Sequence, residues 1–119
     1  MAFAAAVIIK IFLFDLMLAD GHSMEPAIRS GTLLVINRLQ YGFRFPGQKG
    51  YLIQWAVPRP GEVVVFYTPS GELAVKRCEE IIGNGSFFAV GDNTLQSYDS
   101  RSYGPIPINN TIGKALGVR

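Results

Sequence analysis

The chain has 119 residues, of which 49% are hydrophobic and 17% charged, and its formal net charge is +2. That length holds one domain able to bury a single core, and a balance near neutrality without a basic run excludes a nucleic-acid surface. One Cys and one His leave no internal disulfide, no Cys–His nucleophile pair and no clustered zinc ligands, so any chemistry falls to Ser, Lys, Asp or Arg. Thirteen Gly and seven Pro favour a turn-rich β architecture.

In chain order, residues 1–9 (MAFAAAVII) are wholly apolar before Lys10. As a helix this stretch reaches about 14 Å, against about 30 Å of bilayer hydrocarbon, so it does not span. It also lacks the basic start and small-residue cleavage site of a cleavable leader. Residues 1–11 are read as a truncated or peripheral membrane anchor, with a helix packed on the domain's own core as the other reading. From Phe12 the pattern becomes strands and turns. Strands are expected at 12–19, 32–37, 61–67, 72–82, 86–90 and 111–118, with a short further one at 51–55 inside a long Gly- and Pro-punctuated connection. The Val63–Phe66 run has the composition of a buried strand. Gly83-Asn84-Gly85 supplies a hairpin turn between 72–82 and 86–90.

Three segments carry candidate chemistry. In Gly21-His22-Ser23-Met24-Glu25-Pro26 a strand ends at Gly, and Pro26 stops the ladder and can start a helical turn over 27–29. Ser23 is then either an exposed nucleophile beside free backbone N–H groups or only the cap of that turn. In Ala74-Val75-Lys76-Arg77-Cys78, strand alternation puts Ala74, Lys76 and Cys78 on one face. A Lys76 buried there has its pKa lowered and can serve as a base near neutrality; a Lys76 on a strand edge reaches water and does not. The third segment, Gly91 to Gly104, gathers two Asp, an Arg, an Asn and several Ser after an apolar strand, which also describes an ordinary polar loop. His22 adjoins Ser23, but neighbouring strand residues face opposite ways, so it is set aside as the base.

In this order the segments resemble the type I signal peptidases, the Ser–Lys peptidases of bacterial export. Gly21-x-Ser23-Met24-x-Pro26 is similar to that family's nucleophile box. Arg59-Pro60-Gly61-Glu62-Val63-Val64-Val65-Phe66 is similar to its following strand box, and Lys76-Arg77 falls where it keeps its general base. Gly91-Asp92-Asn93 through Ser97, Asp99, Ser100, Arg101 and Gly104 matches its last box. Two positions depart: Ala27 stands where Thr is usual, and Gly21 where some members place a hydroxyl for the oxyanion hole. The span from Lys76 to Gly91 is too short for the large second domain of longer relatives.

The resemblance implies a mainly β fold, a compact antiparallel catalytic core over residues 12–119 behind a short apolar N-terminal helix. It implies Ser23 as nucleophile and Lys76 as base, with Ser97 orienting the lysine. Asp99 and Arg101 would form a structural ion pair, with Arg77 nearby. It implies a serine endopeptidase without metal or cofactor that removes signal peptides from exported preproteins. Action would be at the membrane surface, on the extracytoplasmic face of the plasma membrane, in contact with lipid and with room for an anchoring partner. A substrate strand would lie between Met17–Gly21 and Leu73–Lys76. Ala19, Met24, Ile28, Ala74 and Val75 would then line shallow pockets for small residues. Other readings are a dedicated processing peptidase of the same fold, acting on a pilin-like or conjugation substrate, and a catalytically inactive relative that binds at the membrane surface.

Overall fold

The computed structural model describes residues 13–44 and 50–118, so the apolar segment 1–11 lies outside the described residues. Nine strands occur among the residues described: β1 Phe14–Leu18, β2 Leu33–Asn37, β3 Gly42–Phe43, β4 Ile53–Gln54, β5 Val63–Tyr67, β6 Leu73–Ile82, β7 Ser86–Val90, β8 Ile106–Pro107 and β9 Thr111–Ala115. Seven form one antiparallel sheet in the order β1-β2-β9-β5-β6-β7-β8, and β3 pairs with β4 separately. The protein is mainly β, as the turn-rich composition implied. The expected strands are present with trimmed ends, and the short one expected at 51–55 is the two residues of β4.

β5 is the divider of the molecule. Its Val63, Val64, Val65 and Phe66 are all buried, because alternate side chains enter two cores on opposite faces. Val64 and Phe66 pack with Tyr41, Cys78, Phe87 and Ile106; Phe66 meets the Phe87 ring edge-on, centroids 5.6 Å apart. Val63 and Val65 pack with Met24, Ile28, Leu34, Ile36 and Ala115. Each side chain so enclosed contributes about 1.5–3 kcal/mol of transfer free energy. A strand apolar on both faces needs this central position, which is why the sequence shows a run there and not an alternation.

Two strands have edges that bear on the site. β1 pairs only with β2, in the register Leu16↔Val35 and Leu18↔Leu33. β6 pairs with β5 from Leu73 to Arg77, but with β7 only from Arg77 onward, where Arg77 lies opposite Val90. Residues 73–76 therefore keep one side unpaired by strand neighbours, as β1 does.

Candidate active site

Ser23 stands just past the end of β1, in a tight turn. Gly21 adopts φ +85°, a conformation that side chains resist, and swings the chain out of the strand. The turn then closes through Glu25 N–H donating to His22 O at 3.2 Å and Ile28 N–H to Met24 O at 2.9 Å. It therefore begins earlier than the 27–29 expected from Pro26, because the buried Met24 and Ile28 pin it to the core.

Lys76 comes to this turn from β6. Its Nζ donates to Ser23 Oγ at 2.6 Å, joining residues far apart in sequence. Lys76 is only 7% exposed, and burial lowers its pKa, with the Asp99 carboxylate pulling weakly the other way. Ala74 and Cys78 share its face and pack into the first core, while Val75 packs into the second, as alternation required. His22 points elsewhere: its Nδ1 lies 2.8 Å from Glu25 Oε1 on the exposed side of the turn.

The segment after β7 clamps the turn. Asn93 N–H donates to Ser23 O at 2.8 Å, and Asn93 Nδ2 donates to His22 O at 3.0 Å. Asp92 N–H points at Met24 Sδ, 3.4 Å away. Gly91 makes this approach feasible, since a Cβ there would come within 2.6 Å of Ser23 O and closer still to the Ser97 side chain.

Behind the clamp Asp99 is fully buried and saturated with donors. Its Oδ2 accepts from Ser97 Oγ at 2.6 Å, Gly91 N–H at 2.9 Å and Arg101 at 2.9 Å. Its Oδ1 accepts from Arg101 Nε and from the Arg101 N–H that opens a one-turn helix, α1, Ser100–Tyr103. Burial alone would push the carboxyl up; the Arg101, Ser97 and backbone donors outweigh it and hold Asp99 well below the usual carboxylate range. Asp99 and Arg101 thus form an ion pair.

One placement differs from the sequence expectation. The Ser97 hydroxyl donates to Asp99, whereas the Lys76 ammonium is bonded to Ser23. Arg77 belongs to a different pair, a two-pronged contact with Asp92 at 2.9 and 2.8 Å, and also donates to Gly61 O. Asp92 was missed as a site residue: as a turn-former it looked ordinary, and it comes within reach of Arg77 only because β6 and β7 pair with Arg77 opposite Val90, two residues before it.

A cleft of about 270 Å³ opens beside Ser23 and Lys76. Ala19, Met24, Ile28, Ala74 and Val75 all line it, together with Met17, Leu18, Leu73 and Tyr98. Its two long walls are the end of β1 and the open edge of β6. Among the described residues no group of three His, Cys, Asp or Glu side chains converges as a metal-ligand set.

The chain matches the family described as signal peptidase, peptidase S26, over residues 1–83 and 73–118. It belongs to that family. It is 26% identical to the signal peptidase I of Bacillus caldolyticus over 89% of this chain and 79% of the relative. It is 31% identical to mitochondrial inner membrane protease subunit 1 of Xenopus tropicalis, over 81% of this chain and 63% of that protein. Against signal peptidase I of Haemophilus influenzae identity is 33%, over 59% of this chain and 20% of the relative. Family membership makes the chain a serine peptidase, a hydrolase. No helix of the described residues is long and apolar enough to cross a membrane.

Proposed function

We propose that the chain removes N-terminal signal peptides from exported proteins at a membrane surface, with Ser23 as nucleophile and Lys76 as general base. The observation that carries this is the 2.6 Å contact of Lys76 Nζ with Ser23 Oγ inside a family of signal peptidases. With the amine neutral, the hydroxyl donates to the nitrogen lone pair in place of the reverse. Lys76 then takes the proton as Oγ attacks the scissile carbonyl, and returns it to the departing amine. Among the described residues the Ser23 N–H has no hydrogen-bond partner, so it is free to donate to the oxyanion. Water cleaves the acyl-enzyme with Lys76 again as base.

The cleft supports an extended substrate. A peptide laid between residues 17–21 and 73–76 finds two open strand edges for its main chain. The small side chains of Ala19 and Ala74 leave shallow pockets that admit residues such as Ala. Ser97, Asp99, Arg101 and Arg77 hold this geometry from behind. Phe14, Leu16 and Leu18 of β1, with Leu33 and Val35 of β2, form an exposed apolar face that continues to the cleft at Leu18. That face supports action at the lipid surface where signal peptides lie, and the proposed enzyme works on the extracytoplasmic side of the plasma membrane with an anchoring partner as a further contact.

Incubation of the protein in detergent with a signal-peptide-bearing preprotein tests the proposal, the mature product being read by mass. Ser23→Ala and Lys76→Met should each lose on the order of 10⁶-fold in rate while keeping the fold. A folded Lys76→Met protein with more than a few per cent of activity removes Lys76 from the mechanism.

A further inference from the structure

The residue between Ser97 and Asp99 has been given no work by the mechanism above. Tyr98 is 70% exposed, yet its neighbours on both sides are fixed, Ser97 by Asp99 and Asp99 by five donors. Its ring sits edge-on to Tyr103, centroids 5.1 Å apart and planes at 68°. Tyr103 in turn packs against the first core. An exposed aromatic held at its backbone and on one ring edge loses little further freedom when something lies on its face.

Its position gives that face a purpose. Through the antiparallel order β1-β2-β9-β5-β6 the two cleft walls run in the same direction, residues 17–21 with Ser23 on one side and Leu73 to Lys76 on the other. Ser23 and Lys76 are thus at one end of the cleft, and Tyr98 lines that same end, because Ser97 abuts Gly91 and Gly91 abuts Ser23. A peptide whose acyl half fills the Ala19–Ala74 region must send its leaving half past Ser23. The turn at 94–98 is what it meets there.

We infer that Tyr98 sets specificity on the leaving-group side of the cut, its ring packing on a bulky apolar or aromatic residue among the first residues after the scissile bond. The inference rests on the signal-peptidase reading and adds a second half to its substrate preference. The cleft wall selects small residues before the bond; the Tyr98 face rewards large flat ones after it. Removing a packing surface of this kind changes discrimination by about tenfold or more.

The test uses synthetic peptides with one shared acyl half and either Phe or Gly in the first two positions of the leaving half. The unaltered protein should cleave the Phe peptide about tenfold more efficiently, mainly through KM. Tyr98→Ala should bring that peptide down to the Gly value and leave the Gly peptide unchanged, and Tyr98→Phe should keep the preference. Thermal melting of both variants confirms that an exposed side chain was removed from an intact fold. The inference is overturned if the unaltered protein shows no Phe preference, if Tyr98→Ala lowers both peptides alike, or if its effect follows residues before the bond. Failure to cleave either peptide, together with failure on the preprotein, instead removes the signal-peptidase reading on which the inference stands.

Discussion

Burial acts on Lys76 in the direction a base requires, and Asp99 acts against it. The nitrogen is nearly sealed from water, which disfavours the ammonium. The carboxylate that would restore the charge spends its lone pairs on Arg101, Ser97 and backbone N–H groups. Desolvation therefore wins and the pKa falls. The sign for activity follows: only the neutral amine accepts the Ser23 proton, so the rate should rise with pH through the lowered lysine value. For stability, a lysine whose folded pKa is depressed binds more protons when unfolded. Its penalty is full below the folded value and is relieved as pH climbs toward the ordinary lysine range. Initial rates on a soluble peptide from about pH 6 to 10 should trace this rise, and a flat profile sinks the neutral-lysine mechanism. Ser97→Ala should lower the rate far less than Lys76→Met, since Ser97 touches Asp99 and not the reacting pair.

At the scale of elements, alternation is legible in sequence and register is not. The Val63–Phe66 run disclosed its strand by continuous apolar composition, and the strand around Lys76 showed its faces by alternation. The facing of Ala74, Lys76 and Cys78 followed from the same rule. The pairing of Arg77 with Asp92 did not, because it depends on β6 and β7 meeting at Arg77↔Val90 across a hairpin and a bulge. β8 and α1 were also invisible: a two-residue strand and a single helical turn are held by tertiary contacts such as Ser100 Oγ accepting from Ala89 N–H. The resemblance supplied what periodicity could not, the joining of Ser23 to Lys76. Gly91 tests the clamp that holds them. Gly91→Ala forces a methyl against Ser23 O and Ser97, and a shift of about 1 Å in the nucleophile turn should cost about 10²-fold in kcat. Circular dichroism should show the sheet retained. Full activity in a folded Gly91→Ala protein means the 91–93 segment does not position Ser23.

On the whole molecule, apolar surface is distributed unevenly, and the imbalance has a direction. The inner faces of β1 and β2 fill the second core through Met17 of β1 and Leu34 and Ile36 of β2. The outer faces expose Leu16 at 55%, Leu18 at 63% and Leu33 at 60%, paired across the strands into one patch. A soluble face of an antiparallel sheet normally turns polar residues outward, so a two-strand apolar face calls for a partner. Moving a half-exposed Leu fully out of water contributes about 1 kcal/mol. Five such side chains then approach the binding of one myristoyl chain, weak and reversible. The chain should accordingly float with zwitterionic liposomes in a density gradient. Leu16→Thr with Val35→Thr keeps strand propensity and replaces a facing apolar pair with hydroxyls, and should lower the floated fraction's partition coefficient about tenfold. Cleavage of a short soluble peptide should be unchanged, because neither side chain lines the cleft. If the intact chain stays in the soluble fraction and detergent leaves its rate untouched, the face serves another contact and the membrane-surface reading falls.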